Sequence, residues 1–267
     1  MTYKALAIDL DGTLLVGEKL PKAHKEAVAA ASKAGLQIII ATARWRQMAQ
    51  RIAAEIGISA PIIACSGAQV YVPAEQKDIF DHRLPLDFVT ALYAICDTNR
   101  CIVTVTIDID TLLKLDGEPD SSQVPEEMKW VPRLRGTEIN LPRIVTIQGS
   151  AVVELVKSGL KARFAESVNI YDSVGPSGKI ILTITAKAAD KGQALLATCH
   201  YLNLDPAEVV AFGDAENDIS MFKIAGASVA MGQADERVKA AADKVTAANT
   251  EDGVAQVIDV LLSTGHL

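Results

Sequence analysis

Lys4-Ala5-Leu6-Ala7-Ile8-Asp9-Leu10-Asp11-Gly12-Thr13 is the stretch that decides the fold. It is mostly apolar through Ile8 and then stops abruptly at two carboxylates and an Asp-Gly turn signal. A continuous apolar run of this length suits a parallel strand covered on both faces. Two more stretches read the same way. Residues 36–42 (Leu-Gln-Ile-Ile-Ile-Ala-Thr) are β-branched, and residues 208–214 (Glu-Val-Val-Ala-Phe-Gly-Asp) are apolar up to a terminal acid.

Helical patterns lie between these strands. Residues 21–34 open with Pro21 and stop at Gly35, residues 46–56 stop at Gly57, and residues 191–202 follow Asp190, a good N-cap. Strands alternating with helices predict a doubly wound, Rossmann-like α/β core with a parallel sheet. Ligands of such sheets bind beyond the carboxyl ends of the strands, where Asp9, Thr42 and Asp214 all fall.

The middle of the chain has a different texture. Residues 86–98 read as helix, 101–107 as strand, 143–148 as strand, 151–164 as helix, and 168–171 and 179–185 as strands. Helix followed by strands occurs twice, in the manner of a duplication. Residues 108–141 are rich in Pro, Gly and charge and are left unplaced. This organisation predicts a discontinuous core, residues 1–82 and 187–267, interrupted by an inserted α/β domain over residues 83–186.

Composition narrows the functions. The 267 residues carry a formal net charge of −7, with 4% aromatic residues and no basic block. These features argue against a nucleic-acid partner. No apolar stretch is long enough to span a bilayer, and the short run before Asp9 does not read as a signal peptide, so a cytoplasmic protein is expected. Cys65, Cys96, Cys101 and Cys199 form no Cys-x-x-Cys pair and are expected as free thiols. Oligomeric state is not legible.

Several residues could carry chemistry. Asp9 and Asp11, two apart at a strand end, repel unless a cation or proton intervenes. A hard divalent cation with oxygen ligands meets that need, and magnesium is the usual partner of phosphate chemistry. The plainer alternative is a turn with a capping acid. Gly213-Asp214-Ala215-Glu216-Asn217-Asp218 is a second acidic cluster. A helix starting near Asp214 would bring Asn217 and Asp218 to its side; an acidic first turn favoured by the helix dipole is the alternative. Lys191 opens a helix, where an anion would offset its charge. Thr42-Ala43-Arg44 offers a hydroxyl, backbone N–H groups and a guanidinium together.

In this order, Asp9-Leu10-Asp11-Gly12-Thr13, Thr42, Lys191 and Gly213-Asp214 with Asn217-Asp218 resemble the four motifs of the haloacid dehalogenase superfamily. The insertion between the second and third motifs is similar to the larger cap of its Cof-type (class IIB) phosphatases. Residues 62–71, 181–195 and 227–241 are similar as well. The resemblance implies a magnesium-dependent phosphohydrolase acting on a small phosphorylated metabolite, sugar phosphates included, through an aspartyl-phosphate. Asp9 would be the nucleophile and Asp11 the acid/base. Magnesium would be held by Asp9, the Asp11 backbone carbonyl and Asp214, with Asp218 supporting its water shell. Thr42, the Ala43 N–H, Lys191 and Asn217 would hold the phosphoryl oxygens. Arg44 and Trp45 are candidates for substrate contact, whereas Arg46, Trp130 and Arg143 are expected in ordinary surface or packing roles. Transfer to an acceptor other than water and a phospho-aspartate signalling protein are the competing functions. Three departures from the family pattern are Ala43 for glycine, Ser66 for asparagine and Thr183 for an acid.

Overall fold

The computed structural model describes residues 3–174 and 180–267. Two compact units emerge: one takes the chain through Phe80 together with Asp190–Leu267, the other is Asp81–Ala189.

The first unit is built on an eight-stranded sheet. Its strands are β1 (Ala5–Ile8), β2 (Gln37–Ala41), β3 (Ile62–Ala64), β4 (Gln69–Val72) and β5 (Lys77–Asp81), then β12 (Val209–Gly213), β13 (Ala227–Ala230) and β14 (Lys244–Val245), with β6–β11 in the second unit. The spatial order is β14-β13-β12-β1-β2-β3-β4-β5. From β14 to β3 every pairing is parallel, and β4 runs antiparallel to β3. The chain steps outward from β1 through β2 and β3, then returns on the other side of β1 as β12. This reversal creates a switch point, where the loops after β1, β2 and β12 diverge and leave room for a ligand. Every residue of β1, β12 and β13 is buried, as the continuous apolar runs require.

Helices α1 (Lys22–Lys33), α2 (Arg46–Ile56) and α5 (Lys191–Leu202) flank the sheet, with α6 (Ile219–Phe222), α7 (Glu236–Lys239) and α8 (Gly253–Thr264) following β12. Local chemistry explains their ends. Pro21 precedes α1, Gly57 ends α2 in the left-handed conformation, and the Asp190 side chain accepts the Gln193 N–H at 2.8 Å to cap α5. The acidic segment after β12 departs from expectation. No α-helix starts at Asp214: a tight 3₁₀ turn, Glu216–Asp218, comes first, and α6 begins at Ile219. The physical reason is Asp218, whose carboxylate reaches back to accept the N–H groups of Asp214 and Ala215, both at 3.0 Å.

The second unit packs helices α3 (Leu86–Asp97) and α4 (Ser150–Val156) on a six-stranded sheet. Its strands are β6 (Ile102–Thr106), β7 (Thr111–Lys114), β8 (Met128–Trp130), β9 (Ile144–Gln148), β10 (Val168–Val174) and β11 (Ile180–Ala186), in the order β10-β11-β9-β6-β7-β8. A helix followed by an antiparallel strand pair does occur twice, as α3-β6-β7 and α4-β10-β11. The helix expected over 151–164 is shorter: α4 gives way to a π-helical turn, Lys157–Lys161, around Gly159, where the Ser158 hydroxyl bonds the Glu154 carbonyl at 2.7 Å. The unplaced segment 108–141 holds β7 and the three-residue β8, whose partly exposed pattern gives no clear period. Of the strand expected over 179–185, Lys179 lies outside the described residues.

Arg143 is no surface residue. Its side chain is 4% exposed and bonds Asp81 Oδ1 at 2.7 Å and the carbonyls of Ile107 and Asp108 at 2.7 and 2.9 Å. Arg46 likewise lies over the Tyr71 ring, 4.4 Å from its centroid.

Candidate active site

The backbone of β1 delivers Asp9 to the sheet edge, where its N–H bonds the carbonyl of Phe212 on β12 at 3.1 Å. Asp9 is buried. The ammonium of Lys191, from the first turn of α5, sits between two carboxylates, 2.6 Å from Asp9 Oδ1 and 2.6 Å from Asp218 Oδ1. Lys191 is 1% exposed, so this is a buried ionic centre. The other Asp218 oxygen accepts the two backbone N–H groups after β12, so Asp218 joins the β12 loop to α5.

Carboxylate oxygens of Asp9, Asp214 and Asp218 lie within 4.8 Å of one another. Three carboxylates against one ammonium leave a net negative corner, and its electrostatics follow. Burial pushes the Asp9 carboxyl well above its ordinary range, with Lys191 opposing and Asp218 and Asp214 adding to the rise. Burial and Asp218 push Asp214 up to about 6. Burial acts to lower the Lys191 ammonium, but Asp218 and Asp9 outweigh it and its proton is held more tightly than usual. The donor set is all oxygen, and its excess charge suits a hard divalent cation.

Asp11 stands apart from this cluster. Its carboxylate is gripped in a fork by Arg44, with Nε to Oδ2 at 2.9 Å and Nη2 to Oδ1 at 2.6 Å, while Arg44 Nη1 bonds Glu18 at 2.9 Å. Two hydrogen-bonded carboxylates overcome the desolvation of Arg44 and raise its proton affinity further. Gly12, next in sequence, has φ +82°, and a Cβ there would collide with the Asp214 carboxylate. Only glycine lets the two loops approach this closely.

Thr42 ends β2 fully buried, and its hydroxyl accepts the Arg44 N–H at 3.1 Å. Ala43 and Trp45 flank Arg44 and are half-buried. Asn217 Oδ1 is buried without a hydrogen-bond partner. Thus Asp9, Lys191, Asp214 and Asp218 converge tightly, and Asp11 pairs with Arg44 beside them.

Several contributors acquire a role only in the folded chain, Ser66 among them, which the sequence marks solely as a departure from the family pattern. Cys65, Ser66 and Gly67 all have positive φ, at 53°, 55° and 91°. Their turn bonds Thr42 through the Ser66 N–H at 3.0 Å and Arg44 through the Cys65 N–H at 2.9 Å. A Cβ on Gly67 would strike the backbone of Asp190 and Lys191. This turn therefore braces the second motif against the third, and the Ser66-Gly67 dipeptide was its one visible signal. Thr13, already within the first motif, donates to Asp214 at 3.4 Å, whereas Glu18, which accepts from Arg44, and Gln233, which donates to the Gly12 carbonyl, had no signal in the sequence.

A sequence profile for haloacid dehalogenase-like hydrolases matches residues 6–258, and the chain belongs to that family. The chain is 28% identical to a phosphoglycolate phosphatase of Methanosarcina acetivorans, covering 100% of both sequences. It is 27% identical over 96% of its length to the chloroplastic endoribonuclease YBEY of Arabidopsis thaliana, but it spans only 46% of that longer protein. Among solved structures, a sugar phosphatase of haloacid dehalogenase subclass IIB superposes with a TM-score of 0.79 at 26% identity, covering 96% of this chain and 98% of that one. Among the described residues, no helix is long and apolar enough to cross a membrane.

Proposed function

We propose that this protein is a magnesium-dependent phosphatase of small phosphomonoesters, with Asp9 as covalent nucleophile. The observation that carries this reading is the buried Lys191 ammonium held 2.6 Å from Asp9 at a sheet switch point, beside two further carboxylates. Magnesium held by Asp9, Asp214 and the Asp11 carbonyl would supply charge neutralisation for the incoming phosphate. Asp218 fits a supporting role, because both its oxygens are already engaged by Lys191 and the loop N–H groups.

Lys191 holds the Asp9 carboxylate in one orientation and presents positive charge to a phosphoryl oxygen. Thr42 and the Ala43 N–H contribute donors at the same edge, and Asn217 brings a buried amide. Asp9 attacks phosphorus in line; the ester P–O bond breaks as the Asp9–P bond forms. Asp11 gives a proton to the departing alkoxide, then takes one from the water that cleaves the aspartyl-phosphate, returning Asp9 and releasing phosphate. Arg44 holds Asp11 near this path, and Arg44 and Trp45 contact the substrate. Residues 83–186 are read as the inserted cap, and the relatives named as phosphoglycolate and sugar phosphatases support small polar alcohols as leaving groups.

The test is phosphate release from a broad phosphomonoester panel with and without Mg²⁺. Asp9→Asn is expected to lose turnover by at least about 10³-fold. Turnover at the parent rate by this variant, with deamidation excluded by mass, refutes the mechanism.

A further inference from the structure

The loop carrying Asp11 is tied down by residues more than two hundred positions away. Gln233 Nε2 donates to the Gly12 carbonyl at 2.5 Å. Gln233 Oε1 accepts the Asn249 N–H at 3.1 Å. Asn249, itself buried, donates through Nδ2 to the Leu15 carbonyl at 2.8 Å. Both contacted carbonyls lie in the turn that folds back on itself through the Leu15 N–H to Leu10 carbonyl bond of 2.8 Å and the Asp11–Leu15 bridge.

This arrangement fixes Asp11 from two directions. Arg44 holds its side chain, and the Gln233–Asn249 pair holds the turn that follows it, at the Gly12 and Leu15 carbonyls. A short turn whose next residue is a positive-φ glycine has soft backbone dihedrals, so a carbonyl anchor there sets where the Asp11 carboxylate can reach. Proton transfer demands that reach to within a fraction of an ångström. Gln233 is exposed and adds no core packing, so its two hydrogen-bonding ends are its principal contribution.

We propose that Gln233, seated by Asn249, is a positioning residue that aims Asp11 at the leaving-group oxygen. The inference rests on the reading of Asp11 as general acid. Its signature is dependence on the leaving group. An alkyl phosphate expels a poor leaving group and needs the proton, whereas p-nitrophenyl phosphate expels a phenolate that departs unprotonated.

The experiment compares kcat/KM for both esters in the full chain carrying Gln233→Met, with Gln233→Glu as a second variant that keeps the acceptor for Asn249 and loses the donor to Gly12. The expected result is a loss of about 10- to 100-fold with the alkyl ester and less than about 3-fold with the nitrophenyl ester. The melting temperature reports folding separately. Equal losses with both esters, or no loss with either, overturn the positioning role. Asp11→Asn is measured alongside. If it shows no leaving-group dependence, the acid reading itself fails; if it shows strong dependence and Gln233→Met shows none, only the positioning role fails.

Discussion

Asp214→Asn is expected to stabilise the metal-free protein while removing its response to metal. Asp214 is pushed up to about 6 from an ordinary 3.8, chiefly by burial and then by Asp218. A carboxyl whose folded value is raised binds its proton more tightly in the native state than in the unfolded chain. Native stability is therefore greatest below the unfolded value and is lost as pH rises from about 4 through about 6. The cost at pH 7.5 is of order 3 kcal/mol for a rise from 3.8 to about 6. Asp9, also raised by burial, acts with the same sign. Asp81, where Arg143 and Arg83 overcome burial to lower the carboxyl, contributes stability that is lost only as pH falls through more acidic values. Urea unfolding at pH 5 to 8, in chelator and in Mg²⁺, reads the effect. The parent should lose stability toward pH 7.5 in chelator and regain about 2.7 kcal/mol at a hundredfold excess of Mg²⁺ over its dissociation constant. The variant should show a shallower pH slope, higher stability in chelator at pH 7.5, and little gain from Mg²⁺. A parent protein whose metal-free stability rises steadily from pH 5 to 7.5, or a variant less stable than the parent in chelator, refutes the electrostatic reasoning.

Two other substitutions probe the buried cations. Lys191→Met leaves the Asp9 and Asp218 oxygens without their shared ammonium, so a metal-free loss of about 3–5 kcal/mol and a fall in kcat of at least about 100-fold are expected; denaturation in chelator and steady-state turnover check the two effects. Arg143→Met strips donors from Asp81 and from the Ile107 and Asp108 carbonyls, and a destabilisation of about 3 kcal/mol is expected by urea unfolding; a change below about 1 kcal/mol contradicts the buried role given to this arginine.

The parallel core was legible because burial on both faces writes itself as unbroken apolar runs, as in Ala5–Ile8 and Val209–Gly213. The acids were legible because they interrupt those runs at strand ends. What stayed hidden was carried by contacts between distant segments. Arg143 looks like any surface arginine until Asp81 and two carbonyls are folded around it. The acidic segment suggested an α-helix from Asp214 because the side-chain bonds of Asp218 to the Asp214 and Ala215 N–H groups, which hold a tighter turn, have no periodicity to read. The short edge strand Met128–Trp130 failed for a similar reason, having too few residues to show a pattern.

Asp218 shows why the spacing of the last acidic segment matters more than its charge. One oxygen holds Lys191, which holds Asp9; the other holds the N–H groups of Asp214 and Ala215. A single carboxylate thus fixes the ammonium of α5 and the exit direction of β12 at once. A residue later on the chain must turn back to do this, and a tight 3₁₀ turn over Glu216–Asp218 brings it there while leaving Asp214 at the strand end. Had an α-helix begun at Asp214, its first N–H groups would have needed other partners and Asp218 would have lain on the helix surface. The motif therefore encodes a carboxylate that organises its neighbours, and it completes with Asp9 and Asp214 a set of carboxylates able to hold a metal ion.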